Sequence, residues 1–146
     1  MTLHREQVQR WLDAYSRAWE TYDRDQIVAL FTDGAEYRWH PWDEGDDVAV
    51  GTDQIAAAWV SDEAVDPPGT YEGRYEPVAV DGDVAVARGV SRYWTDAGRG
   101  TLDHAYHNLF VMRFADDGRC RWFTEWYMEG PEAASAAGTG PAGAEP

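Results

Sequence analysis

The stretch AYSRAWETYDRDQIVALFTDGAEYRWHP, Ala14 to Pro41, changes its repeat half-way and so decides which folds are open to this chain. Val8, Trp11, Leu12, Tyr15, Ala18, Trp19 and Tyr22 recur every three or four positions, which places them on one stripe of a helix spanning Leu3 to Tyr22. Asp23 followed by Gln26 reads as a capping box that opens a second helix through Phe31, and Thr32-Asp33-Gly34 is its expected end. From Ala35 to His40 the period drops to two. Tyr37 and Trp39 share one face of a strand and Glu36, Arg38 and His40 the other, until Pro41 stops it.

Beyond this stretch, Thr52 or Asp53 caps a third helix carrying Ile55, Ala58 and Trp59. The loop Asp66-Pro67-Pro68-Gly69 then leads into strands at roughly 71–80, 83–94, 101–114 and 119–129. Asp81-Gly82, Asp96-Ala97-Gly98 and Asp116-Asp117-Gly118 are the turns between them. Helices first and an antiparallel meander after define an α+β domain over residues 1–130. PEAASAAGTGPAGAEP, residues 131–146, holds no large apolar residue and reads as a disordered tail.

Charge removes several function classes. With 27 acidic against 12 basic residues the chain stands at −15, which repels nucleic acid and anionic membrane surfaces. All 12 basic residues are arginine, so no lysine can form a Schiff base. That composition also fits a high-GC bacterial genome. Cys120 is the single cysteine, which permits neither an internal disulfide nor a cysteine metal cluster. No apolar run reaches the roughly 20 residues of a membrane helix, and the charged start lacks a signal core, so a cytoplasmic protein is expected.

The last two strands carry large apolar groups on both faces. Tyr106, Phe110 and Met112 oppose Leu109 and Val111, and Phe123 and Tyr127 oppose Trp122 and Trp126. Three helices cover one face only. The expected cover for the other is a second copy of the chain, in a homodimer packed sheet to sheet.

The segments AYSRAWETYDRDQIVALFTDGAEYRWHP, GTDQIAAAW, FVMRFADDGRC and TEWY, in that order, resemble the SnoaL-like branch of the nuclear transport factor two-like superfamily, across roughly residues 6–130. The resemblance implies three N-terminal helices packed on a curved antiparallel sheet, forming a cone with an internal, mostly apolar pocket. The branch includes polyketide cyclases, steroid isomerases, dehydratases, epoxide hydrolases and proteins that only bind ligands. In its steroid isomerases a first-helix tyrosine holds an oxyanion, and Tyr15 falls at that place. The base there is an aspartate before a proline. Here His40 precedes Pro41, although a gap-free alignment puts Trp39 at the aspartate's position. The second acid of that oxyanion hole aligns with Phe110, and the arginine–aspartate set of the limonene epoxide hydrolases has no clear counterpart.

Four residues are therefore the candidate catalytic groups. His40 can take and give a proton near neutral pH, or can be a strand-end histidine bonded to a carbonyl or to Asp43. Asn108 and Glu125 face each other amid aromatics if a four-residue loop, Ala115 to Gly118, joins the last strands; the facing pairs are then Tyr106–Tyr127, Asn108–Glu125 and Phe110–Phe123, with His104 on the same face. A three-residue loop would pair His107 with Tyr127 instead. A carboxylate in an apolar wall has its pKa raised, which suits acid–base work; the alternative is an Asn–Glu bond that only satisfies both groups. Tyr15 is either a donor to substrate or a core residue with a tied hydroxyl. Trp19, Trp59, His104, Tyr106, Phe110, Phe123 and Tyr127 are the expected pocket walls.

Other features carry less. His104 and His107 imitate a metal pair, but a spacing of three on a strand sends them to opposite faces. Arg88 and Arg92 can greet an anion or pair with Glu72 or Glu76. Asp43 to Asp47 fits no EF-hand spacing and reads as a solvated flap. No metal, nucleotide or other cofactor is expected. The sequence points to a cofactor-independent lyase, isomerase or cyclase acting by proton transfer on a small apolar carbonyl or polycyclic molecule. The alternative is a binding protein with the same pocket and no chemistry.

Overall fold

A computed structural model describes residues 2–61 and 65–133. Its elements are α1 (Arg5–Thr21), α2 (Arg24–Ala29), β1 (Phe31–Arg38), β2 (Ala49–Val50), α3 (Thr52–Trp59), β3 (Tyr71–Asp81), β4 (Val84–Trp94), β5 (Leu102–Phe114) and β6 (Cys120–Glu129). The strands form one open six-stranded sheet in the order β2-β1-β6-β5-β4-β3. Every neighbour is antiparallel except β1 and β6, which run parallel, so the sheet is mixed where an antiparallel one was expected.

That parallel pair explains an early helix end. The Leu30 carbonyl accepts the Cys120 backbone N–H at 2.9 Å and the Trp11 indole N–H at 2.9 Å. With that acceptor taken, the second helix stops at Ala29, and Phe31 opens β1 with its ring wholly buried. Thr32-Asp33-Gly34 lies inside β1, at the register shift between Phe31 and Glu36, and terminates nothing. Asp23 does cap α2, accepting the Asp25 and Gln26 N–H groups. The cap of α3 is Gly51 rather than Thr52 or Asp53.

One face of the sheet is covered by helices. Trp11 of α1 stacks on Tyr15 and meets Phe31 and Phe114 edge-on, while Val8, Leu12, Ile27, Ile55, Phe110, Met112 and Phe123 fill the space around it. These groups pack one end of the helix–sheet layer solid. On the opposite face, among the described residues, Leu109, Trp126 and Met128 stand out, the last 74% exposed.

The β5–β6 register differs from the expected pairs. Asn108 faces Tyr127, Phe110 faces Glu125 and Met112 faces Phe123, two residues displaced from the four-residue-loop register. The hairpin closes with Ala115 N–H on the Arg119 carbonyl, and a shift between Arg113 and Phe114 then inserts one more β6 residue. The resulting offset is even, so the faces are kept while the partners move. The disordered tail expected from Pro131 lies, from residue 134 onward, outside the described residues; Pro131 to Ala133 are described, and Glu132 bonds the His107 ring at 2.6 Å. Among the described residues no helix is long and apolar enough to cross a membrane.

Candidate functional site

At the end away from the packed core, a cavity of about 220 Å³ opens between α1 and the sheet. Its walls follow from strand alternation. Tyr71 and Tyr75 of β3, Ser91 and Tyr93 of β4, Tyr106 and Asn108 of β5, and Glu125 and Tyr127 of β6 are each two or four residues apart on one face. Tyr15 and Trp19 close it from α1, one helical turn apart, with Trp39 from the end of β1 and Asp66 from the loop before β3.

Two glycines make room for the tyrosine wall. A Cβ on Gly73 would sit 2.1 Å from the Tyr71 hydroxyl and 2.6 Å from the Tyr75 ring, and one on Gly89 would sit 2.3 Å from Tyr75. Neither position tolerates a side chain without moving a tyrosine.

A continuous hydrogen-bonded chain lines the cavity. The Tyr71 and Tyr75 hydroxyls are 2.7 Å apart, Tyr75 and Ser91 2.6 Å, and the Ser91 hydroxyl donates to Asn108 Oδ1 at 2.8 Å. Asn108 Nδ2 then donates to Glu125 Oε2 at 2.6 Å. Thus the Asn108–Glu125 contact exists, but on the diagonal rather than across the ladder. Burial pushes the Glu125 carboxyl up to about 7, and the Asn108 bond only partly opposes this. The charge on Glu125 in turn helps to raise Tyr15, Tyr71, Tyr75 and Tyr93, for which burial is the main cause.

His40 does not line this cavity. Pro41 and Trp42 form the bend of a turn in which the Asp43 N–H donates to the His40 carbonyl at 3.1 Å. The Asp43 carboxylate accepts the Trp39 and His40 N–H groups and meets the His40 ring Nδ1 at 3.1 Å. Asp43 is consequently buried, not part of a solvated flap. A carboxylate accepts only from a protonated ring nitrogen, so Nδ1 carries a hydrogen; in the neutral imidazole Nε2 then accepts from the Tyr127 hydroxyl, 2.8 Å away. Tyr127 lines the cavity; His40 stands behind it, one bond removed.

Several expected walls belong elsewhere. Trp59, Phe110 and Phe123 are fully buried core, with Trp59 stacked on Trp19 at 4.0 Å. His104 stacks on Tyr93 and bonds Asp103, outside the lining, while His107 turns to the other face. Arg88 pairs with Glu76 at 3.2 Å. The Cys120 thiol is buried and pushed up to about 12, so it is no nucleophile. The sequence reading missed Trp39, Asp66, Tyr71, Tyr75, Ser91 and Tyr93 as walls. The same period-two count that picked out β5 and β6 would have found the four on β3 and β4.

The family profile described as the SnoaL-like domain matches residues 8–123. The chain belongs to the SnoaL-like family. No curated protein matches this SnoaL-like chain. Among solved structures, Rv0760c from Mycobacterium tuberculosis superposes with a TM-score of 0.64 at 13% identity, covering 88% of this chain and 99% of that one. An M. tuberculosis LEH-like epoxide hydrolase superposes at 0.56 with 16% identity, covering 84% of each. At these identities the likeness is one of fold.

Glu125 makes a stability prediction. Its folded pKa of about 7 exceeds the ordinary 4.5, so the folded state holds the proton more tightly. The carboxyl therefore costs no stability below the unfolded value, and the penalty grows as pH rises from there to about 7. Glu125→Gln keeps the bond to Asn108 and removes the charge. It should raise Tm relative to the parent by about 4 °C or more at pH 8 and by little at pH 4.5, measured by thermal melts. An equal effect at both values would contradict the burial of a charge.

Proposed function

We propose that this protein is a cofactor-independent enzyme that moves a proton on a small carbonyl compound held in the tyrosine-lined cavity, working in the cytoplasm. The observation that carries this is Glu125: a carboxyl poised at about 7, inside a cavity, bonded to the neutral Asn108 side chain. Ionised, it takes a proton from the carbon beside the carbonyl; protonated, it returns one. Tyr15 and Asn108 were the expected oxyanion donors. Tyr15 lines the cavity with its hydroxyl 3.4 Å from that of Tyr37, and Asn108 sits on the Glu125 side chain. Tyr127, whose one hydroxyl hydrogen is engaged by His40, turns a lone pair toward the cavity, and this bond gives His40 a relay role, with Asp43 holding the imidazole's orientation.

A cavity of about 220 Å³ favours a small substrate over a polycyclic one. One structural neighbour is an LEH-like epoxide hydrolase. Two acids, Asp66 and Glu125, line the present cavity, but no arginine does among the described residues, which favours proton transfer.

The test is solvent deuterium uptake. A panel of small ketones and aldehydes is incubated in D₂O with the protein and followed by NMR. Exchange at the α-carbon of at least one compound, lost in Glu125→Gln and slowed about 10²-fold or more in His40→Ala, is the expected result. Compounds that quench tryptophan fluorescence on binding yet exchange no deuterium would make the protein a binder.

We also propose a homodimer across the sheet face opposite the helices. Leu109, Trp126, Met128 and, beside them, Trp42 form an exposed apolar patch around a depression of about 590 Å³. Light scattering at micromolar concentration should give twice the mass of one chain, and Trp126→Arg should halve it. A single-chain mass for the parent would contradict the dimer.

A further inference from the structure

We propose that the cavity selects an organic cation, so that the substrate carries an ammonium group. This rests on the same cavity being the working site, and it names the class of molecule that the site takes.

Eight aromatic side chains line the cavity, and among the described residues the charged groups beside them are the carboxylates of Asp66 and Glu125. Among the described residues no arginine or histidine contributes to the lining. Ring faces carry negative electrostatic potential and attract ammonium groups, the more so out of water. Both carboxylates act on the same place: each helps to raise the Tyr93 phenol, although its largest cause is burial. Two acids and an aromatic-rich lining thus favour positive charge in the cavity, inside a chain of net charge −15.

Among the described residues no cation is paired with the largely desolvated Glu125 carboxylate. Its side-chain partner is the neutral Asn108 amide, at 2.6 Å. A lone anion in a low-dielectric wall is an unfavourable arrangement that an added positive charge relieves. An anionic ligand meets only like charge here. A neutral one fits the rings but leaves the carboxylate uncompensated. A cation is stabilised by both.

The same preference assists the chemistry. A positive charge lodged among these rings favours the ionised form of Glu125, which is the form that accepts a proton from carbon. Substrate binding would then prepare the base. Asp66 is suited to hold the ammonium from the cavity edge, since Tyr22 O–H already positions its Oδ2 at 3.1 Å.

The test compares a cation with its uncharged isostere. Calorimetric titrations use choline against 3,3-dimethyl-1-butanol, and benzyltrimethylammonium against neopentylbenzene, on the full-length protein. Each cation should bind about tenfold tighter or more than its carbon counterpart. That ratio should fall toward one in Glu125→Gln, with Asp66→Asn as a second variant that alters only the cavity edge; circular dichroism confirms that each is folded. Equal affinities within the pairs, a preference for the neutral member, or no cation binding at about 10 mM would overturn the proposal. Its failure is distinct from that of the proton-transfer reading. Deuterium exchange without cation preference removes only the present inference, and cation preference without exchange removes only the catalysis.

Discussion

A carboxylate set among tyrosines and bonded to a neutral amide is the arrangement around which this molecule is organised. Glu125 can sit there because Asn108 donates to it, and Asn108 is itself fixed by Ser91, Ser91 by Tyr75, and Tyr75 by Tyr71. The chain crosses four strands, so the pairing of β3 through β6 is what holds the acid in place. Gly73 and Gly89 complete the arrangement by leaving the space the tyrosines occupy. The cost of that desolvated charge falls on the fold, and the same desolvation raises the carboxyl to about 7.

Around this centre the core and the cavity divide the interior. Trp11, Phe31, Phe114 and Phe123 close one end, and Trp59 stacked on Trp19 forms the boundary with the hollow. Trp59 presents itself to the core, while Trp19, one stacking distance away, lines the cavity. At the mouth the HPWD turn places a second set of groups, Asp43, His40 and Tyr127, in a row that ends on the cavity wall. The turn keeps the imidazole partly in contact with solvent.

The periodicity of the chain made much of this legible. The helix stripe of α1 and the alternation of β3 to β6 are local patterns, and their ends fall within a residue or two of those read from the sequence. Two errors had non-local causes. The end of α2 was misplaced because a parallel partner, β6, and the indole of Trp11 both claim the Leu30 carbonyl, a competition between residues far apart in the chain. The β5–β6 pairs were displaced because one extra residue near the hairpin cannot be seen in a sequence whose alternation survives it. His40 was correctly linked to Asp43 by the less ambitious of its two readings, but its position relative to the hollow depends on a turn geometry that residue types alone do not specify. The tyrosine wall of β3 and β4 is legible in the same period-two alternation as the walls on β5 and β6.

The central claim is that Glu125 is a carboxyl destabilised in its charged form by the cavity around it. Titrating protein labelled with ¹³C at the glutamate side-chain carboxyls, and assigning the Glu125 signal by its loss in Glu125→Gln, measures this directly. The account predicts a midpoint near 7, well above the ordinary 4.5 of an exposed glutamate. A midpoint at the ordinary value would mean that water reaches the carboxylate freely, and the account would be wrong.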